Sequence, residues 1–268
     1  MIALALPATT EDGFVPPAID EMHLPEVWPW GAEYGEGIGK QMILVLLSVG
    51  IIAWFFIAAS RRGTLVPGRL QFLGESAYGF VRNGIARDVI GERDFIKYVP
   101  FLFALFFFIL VNNIYGAIPF IQLPSFSHPG GAYLLALIVY VTWIGIGLKK
   151  HGIRYFKMAV VPSGVPWYIL PVLVPIEIIS NFLVRPITHS LRLFATMMSG
   201  HLIVMLCGAG IEYLLVLQDN VLLQGASILV LVGGIAMYML EALIMVLQAY
   251  VFVLLTAIYI QGALADEH

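Results

Sequence analysis

Apolar residues in this chain come in blocks long enough to cross a bilayer, separated by short polar stretches. Residues 41–60, QMILVLLSVGIIAWFFIAAS, contain no charged side chain. About 20 apolar residues rising 1.5 Å each match a hydrocarbon core of roughly 30 Å, which predicts a first spanning helix. A second block runs from about 98 to 119 and a third from about 132 to 148, with the turn-rich LPSFSHPGG between them. From residue 160 the pattern changes. Pro162, Pro166, Pro171 and Pro175 divide the segment into short pieces, predicting a re-entrant or kinked hairpin over about 160–176. Two long apolar runs follow, about 176–217 and 221–262, separated by Gln218, Asp219 and Asn220.

Each long run would measure roughly 63 Å as a continuous helix, about twice what an upright crossing needs. Either each run is two helices, or each is one helix lying steeply tilted. Pro186, Gly200, Gly208, Gly233 and Gly234 offer kinks but no charged turn that would end a helix in water, so tilted helices are the favoured reading. The expected fold class is an all-α integral membrane protein. Residues 40–268 form a single membrane domain of upright N-terminal transmembrane helices and two long, strongly tilted antiparallel C-terminal helices. Helices so disposed present a broad face to a large partner.

Composition supports lipid as the main solvent. Of the 268 residues, 60 % are hydrophobic and 12 % charged, and the mean hydropathy is +0.91; a soluble domain carries about 25 % charged residues. The single cysteine, Cys207, excludes an intrachain disulfide. A net charge of −3 and the lack of a long basic patch give no footprint for nucleic acid. The opening MIALALPATT lacks a basic n-region and a long h-region, so it reads as part of the mature chain.

Charge also orients the blocks. Residues 1–39 carry seven acids and no lysine or arginine, whereas residues 61–97 carry seven basic side chains against four acids, and KKHGIRYFK at 149–157 adds four basic residues. The positive-inside rule puts both basic loops in the cytoplasm and the acidic N-terminal segment outside. Within the first basic loop Leu70, Leu73, Ala77, Phe80 and Val81 recur at helical spacing and predict an amphipathic surface helix.

Ionisable groups inside lipid cost about 2.5–3.5 kcal/mol at a helix centre and are functional suspects. The long runs hold Glu177, Arg185, His189, Arg192, His201, Glu212 and Glu241. Arg192 has no acidic residue within fourteen positions on either side. At about 100° per residue, Arg185, Thr188, His189, Arg192, Thr196 and Ser199 share one stripe, and His201 falls on the opposite face. Glu241 and Gln248 share a face that Tyr259 extends. An imidazole and a carboxylate on adjacent helices can pass protons. A guanidinium keeps its proton, so Arg192 reads as a barrier and counter-ion, drawing a carboxylate on another chain into its ionised form. Other readings stand beside these. Glu212 reads as a solvated helix end, Arg185 as a side chain reaching to the interface, and His189 as a packing residue. Gln248 reads as interhelical glue, Arg192 as half of an internal pair with Glu177 or Glu241, and His201 with Glu241 as a static pair. Asn112 and Asn113 either line a path or cap a helix.

The stretch PITHSLRLFATMMSGHL, followed by EALIMVLQAYVFVLLTAIYI, closely resembles subunit a of rotary F-type ATP synthases, as do PGRLQFLGESAYGFV and VNNIYGAIP. The likeness extends over nearly all of the chain from residue 40. It implies a proton-conducting stator subunit in a bacterial plasma membrane, with its C-terminus cytoplasmic, its two long helices facing a ring of c subunits, and b-type peripheral-stalk subunits as neighbours. The catalytic head is reached only through the stalks. Two offset half-channels would feed protons to and from a ring carboxylate. The family's essential arginine matches Arg192, its glutamine matches Gln248, and its acid–histidine pair matches His201 and Glu241; Glu177 corresponds approximately to an acid associated with the path. Many members have Asn where this chain has Thr196, and some carry the acid and histidine in the reverse order.

No GxxxxGK[ST] loop occurs, so the chain is expected neither to bind nucleotide nor to be an enzyme on its own, and no cofactor or metal site is expected. A self-contained secondary transporter is the alternative, disfavoured by the lack of an internal repeat joining the first three spans to the last two runs.

Overall fold

The computed structural model describes residues 40–61, 68–118, 129–161, 168–217 and 221–265. The acidic segment 1–39, residues 162–167 of the expected hairpin and the Gln218–Asn220 break lie outside the described residues. All regular structure among the described residues is helical.

Helix α1 spans Lys40–Ser60, α2 Arg69–Val81, α3 Asp88–Ile90, α4 Phe95–Ala117 and α5 Pro129–His151. The short α6, Arg154–Val160, and α7, Leu170–Ile178, precede the two longest elements, α8 at Arg185–Glu212 and α9 at Val221–Leu264. Three stretches, Arg82–Arg87, Ile179–Val184 and Tyr213–Leu217, are π-helical. One of them joins α7 directly to α8, so the chain stays helical from Leu170 to Leu217. Pro186 explains the widened turn at Ile179–Val184: it lacks an N–H, and its ring would clash with the carbonyl one α-turn earlier. Five helical stretches are long and apolar enough to cross a membrane: Gln41–Ser60, Phe95–Ala117, Gly130–His151, Leu170–Leu215 and Gln224–Leu264. Many of their apolar side chains are outward-facing; Leu229 is 78 % exposed, a costly arrangement in water and a natural one in lipid.

The chain forms two compact units. Of the described residues, those within 40–46, 112–118 and 195–247 form the first and those within 47–111, 129–194 and 248–265 the second. In the second, α2 lies in the polar stretch where helical spacing predicted a helix. Phe80 of α2 meets Phe106 of α4 and Tyr250 of α9, with ring centroids 5.7 and 5.9 Å apart. Phe56 of α1 makes edge contacts with Phe103 and Phe107 of α4 at 4.6 and 4.8 Å. Leu102, Ile109, Val139, Leu193 and Phe252 of this unit are buried. α5 ends because Gly152 turns the backbone into the left-handed region, at φ 61°, with its N–H donating to the Leu148 carbonyl at 2.8 Å. α6 then folds back, and Tyr155 lies over Gly147, where a Cβ would sit 2.5 Å from the ring.

The first unit is held partly by polar contacts. Asn113 of α4 donates from Nδ2 to the Met245 carbonyl of α9 at 3.1 Å, and the Tyr238 hydroxyl donates to the Ala117 carbonyl. Such bonds suit helices in lipid, where packing has little hydrophobic drive.

Candidate functional site

Among the described residues, a cavity with polar side chains in its wall lies in each unit. In the second unit it measures about 590 Å³ and is lined by Glu177, Asn181, Arg185 and Tyr259, with Trp143 and Tyr155 among its walls. Glu177 and Asn181 are four residues apart and so meet on one helix face. Asn181 Nδ2 donates to Glu177 Oε2 at 3.0 Å and to the Ala159 carbonyl of α6 at 2.7 Å. The Arg185 guanidinium lies over the Tyr259 ring, 5.6 Å from its centroid, a cation–π contact that holds the cation at the cavity wall. The Tyr155 hydroxyl belongs to the non-spanning α6, and burial pushes it up to about 12.

Beside this cavity's residues in sequence stand three further polar side chains of the same unit. His189 is buried with its ring 3.7 Å from the Phe252 centroid and 5.7 Å from that of Tyr259; neither ring nitrogen has a hydrogen-bond partner. Gln248 is buried, with Nε2 unpartnered. Arg192 is exposed on α8.

The cavity in the first unit is smaller, about 100 Å³; Thr196, Ser199 and Gly200 of α8 and Glu241 of α9 share its wall with the apolar Ile203, Met237, Leu240 and Ile244. Glu241 is 6 % exposed, and its Oε1 is buried without a hydrogen-bond partner. It reaches this position because residue 200 is glycine: a Cβ there would lie 2.9 Å from Glu241 Cγ and Oε1. His201 is half-buried and is not part of the lining; among the described residues no hydrogen bond or ion pair joins it to Glu241. Glu241 Oε1 is thus not held by the His201 imidazole. Asn112 and Asn113 are both fully buried, and Asn113 serves as the link to α9 described above.

Thr196, Ser199 and Glu241 are therefore brought together in one unit, and Glu177, Arg185 and Tyr259 in the other. Two contributors escaped the sequence reading, Asn181 and Gly200. Asn181 sits one turn after Glu177, a spacing that could have flagged it. Gly200 appeared only as a possible kink, although α8 runs through it unbroken.

These features define an all-helical, multi-pass membrane protein that keeps polar side chains in cavities along its longest apolar helices. Comparison with known proteins narrows the class. The profile of the ATP synthase A chain family matches residues 42–261. ATP synthase subunit a of Pseudarthrobacter chlorophenolicus is 74 % identical over 269 residues, covering 100 % of both chains. That of Nocardioides sp. is 47 % identical, covering 96 % of this chain and 95 % of the relative, and that of Streptomyces lividans 41 % identical, covering 85 % and 80 %. The chain belongs to the ATP synthase A chain family.

Proposed function

We propose that this subunit carries protons between the two sides of a bacterial plasma membrane and a rotating c-subunit ring, with Arg192 separating the two paths. The single observation that supports this most is the order of polar groups along α8 and α9. On α8, Arg192 falls between Arg185 of one cavity and Thr196, Ser199 and Gly200 of the other. On α9, Gln248 falls between Glu241 and Tyr259 in the same way. Two lined cavities with a permanent cation between their residues suit a route that is interrupted within the subunit.

Glu241, with Thr196 and Ser199 around it, serves the outer half-channel, and His201 contributes a second titratable group there. Glu177 and Asn181 serve the cytoplasmic half-channel, with Arg185 and Tyr259 on its wall; His189 and Gln248 flank the Arg192 region. A ring carboxylic acid that arrives protonated loses its proton near Arg192 because the adjacent cation favours the carboxylate. The arginine cannot itself relay a proton, so a proton crosses only by riding the ring. Each charge moved through the potential then delivers about 2.3 kcal/mol per 100 mV to rotation. The tilted α8 and α9 face the ring, the b-type stalk subunits hold this subunit still, and the catalytic head is coupled only through the stalks. The N-terminal segment is outside and the basic loops and C-terminus are cytoplasmic, as the charge distribution favours.

Side-specific labelling tests the two paths. In a Cys207→Ala background within the whole complex, Ser199→Cys is expected to react with a small membrane-impermeant thiol reagent only from outside. Ile258→Cys, on the wall of the larger cavity, is expected to react only from the cytoplasmic side. Reaction of both from one side contradicts offset half-channels.

A further inference from the structure

We propose that Asn181 is a positioning residue for proton transfer at Glu177, a role that rests on reading the larger cavity as a proton path. Asn181 is only 5 % exposed, and both hydrogens of its amide are committed: one to the Ala159 carbonyl at 2.7 Å, the other to Glu177 Oε2 at 3.0 Å. The opposite amide orientation would set its oxygen against a carbonyl and a carboxylate, so the network itself fixes which way the side chain points. Asn181 Oδ1 is left buried without a protein partner. A buried acceptor without a partner costs free energy, and a purely structural position would be filled more cheaply by an apolar side chain.

The two bonds do different things. Ala159 is in the last turn of α6, where backbone carbonyls lack intrahelical donors, so the first bond anchors the amide to a helix outside the spans. The second holds one oxygen of Glu177 in a single place. A free glutamate has three rotatable side-chain bonds and would scan the cavity. Proton transfer requires donor and acceptor within hydrogen-bond reach, and holding one partner still removes part of that search. Asn181 thus transmits the position of α6 to the carboxylate, without itself gaining or losing a proton. The π-helical turn at Ile179–Val184 carries Asn181, and turns of this kind recur at functional sites.

A double-mutant cycle in the whole complex distinguishes positioning from packing. Three variants, N181D, E177Q and N181D/E177Q, are reconstituted in vesicles, and ATP-driven acidification is normalised to assembled complex. N181D replaces both donors by a second carboxylate and is expected to slow pumping on the order of tenfold, the factor carried by one hydrogen bond to a charged group. N181D/E177Q again has one amide and one carboxylate, with the bond between them reversed, and is expected to pump faster than either single variant. Losses that simply multiply in the double variant overturn the positioning role. Wild-type pumping by N181D, with E177Q impaired, overturns it too but leaves the proton path standing. Wild-type pumping by E177Q removes both the path and the role.

Discussion

Residue 200 shows how a hydrogen atom can set the place of a carboxylate. With no side chain on Gly200, Glu241 packs directly on α8 beside Thr196 and Ser199. Gly200→Ala would gain about 1 kcal/mol of helix propensity, against roughly 1–3 kcal/mol for overpacking, and the neighbour that must move is the end of a flexible side chain. Assembly is therefore expected to survive while Glu241 is displaced. Coupled proton pumping should fall on the order of tenfold, equivalent to about 1.4 kcal/mol on the transfer barrier, with complex yield near wild type. Unchanged pumping would mean that the exact seat of Glu241 does not matter. At this scale the sequence exposes charge and hides space. Arg192, Glu177 and Glu241 stand out because an ionisable group in an apolar run is conspicuous. Gly200 and Asn181 do not, since what they supply, room in one case and two donors in the other, depends on which helix lies opposite. The lack of a bond between His201 and Glu241 has the same origin: spacing along each helix was readable, while the rotation of one helix against the other was not.

Helix existence was legible from block length, because lipid demands about 20 apolar residues and internal satisfaction of every backbone group. Element ends were less so. The third apolar block stops near residue 148, yet α5 continues through Lys149, Lys150 and His151, since cations at a helix C-terminus are favoured by the backbone dipole. The helix stops one residue later, at Gly152. The π-helical turn before Pro186 was not visible either: proline signals that a helix must adjust, not how. The α5–α6 corner yields a prediction of its own. Tyr155 is buried against Gly147 and within 6.3 Å of Trp143 between ring centroids, and its folded-state pKa is raised from 10.0 to about 12. A raised pKa contributes stability fully present below pH 10, lost as pH climbs toward about 12. The α6 docking is thus expected to weaken across that window. The tyrosinate absorbance difference between wild type and Tyr155→Phe should titrate near 12. A difference titrating near 10 would contradict the burial of this hydroxyl.

At the scale of the whole molecule, the proposed function requires the residues of both cavities and Arg192 to act together, with no proton passing within the subunit itself. The all-helical membrane fold and the family follow from sequence and structure together. The division of labour along α8 and α9 is the claim most worth attacking. Vesicles carrying the complete complex with Arg192→Ala would report two quantities: ATP-driven acidification, and passive proton leak once the catalytic head is stripped away. The account predicts that coupled pumping is abolished while the complex still assembles, and that passive leak is retained or raised. Normal coupled pumping by Arg192→Ala would contradict it, and Arg192 would then be a structural residue.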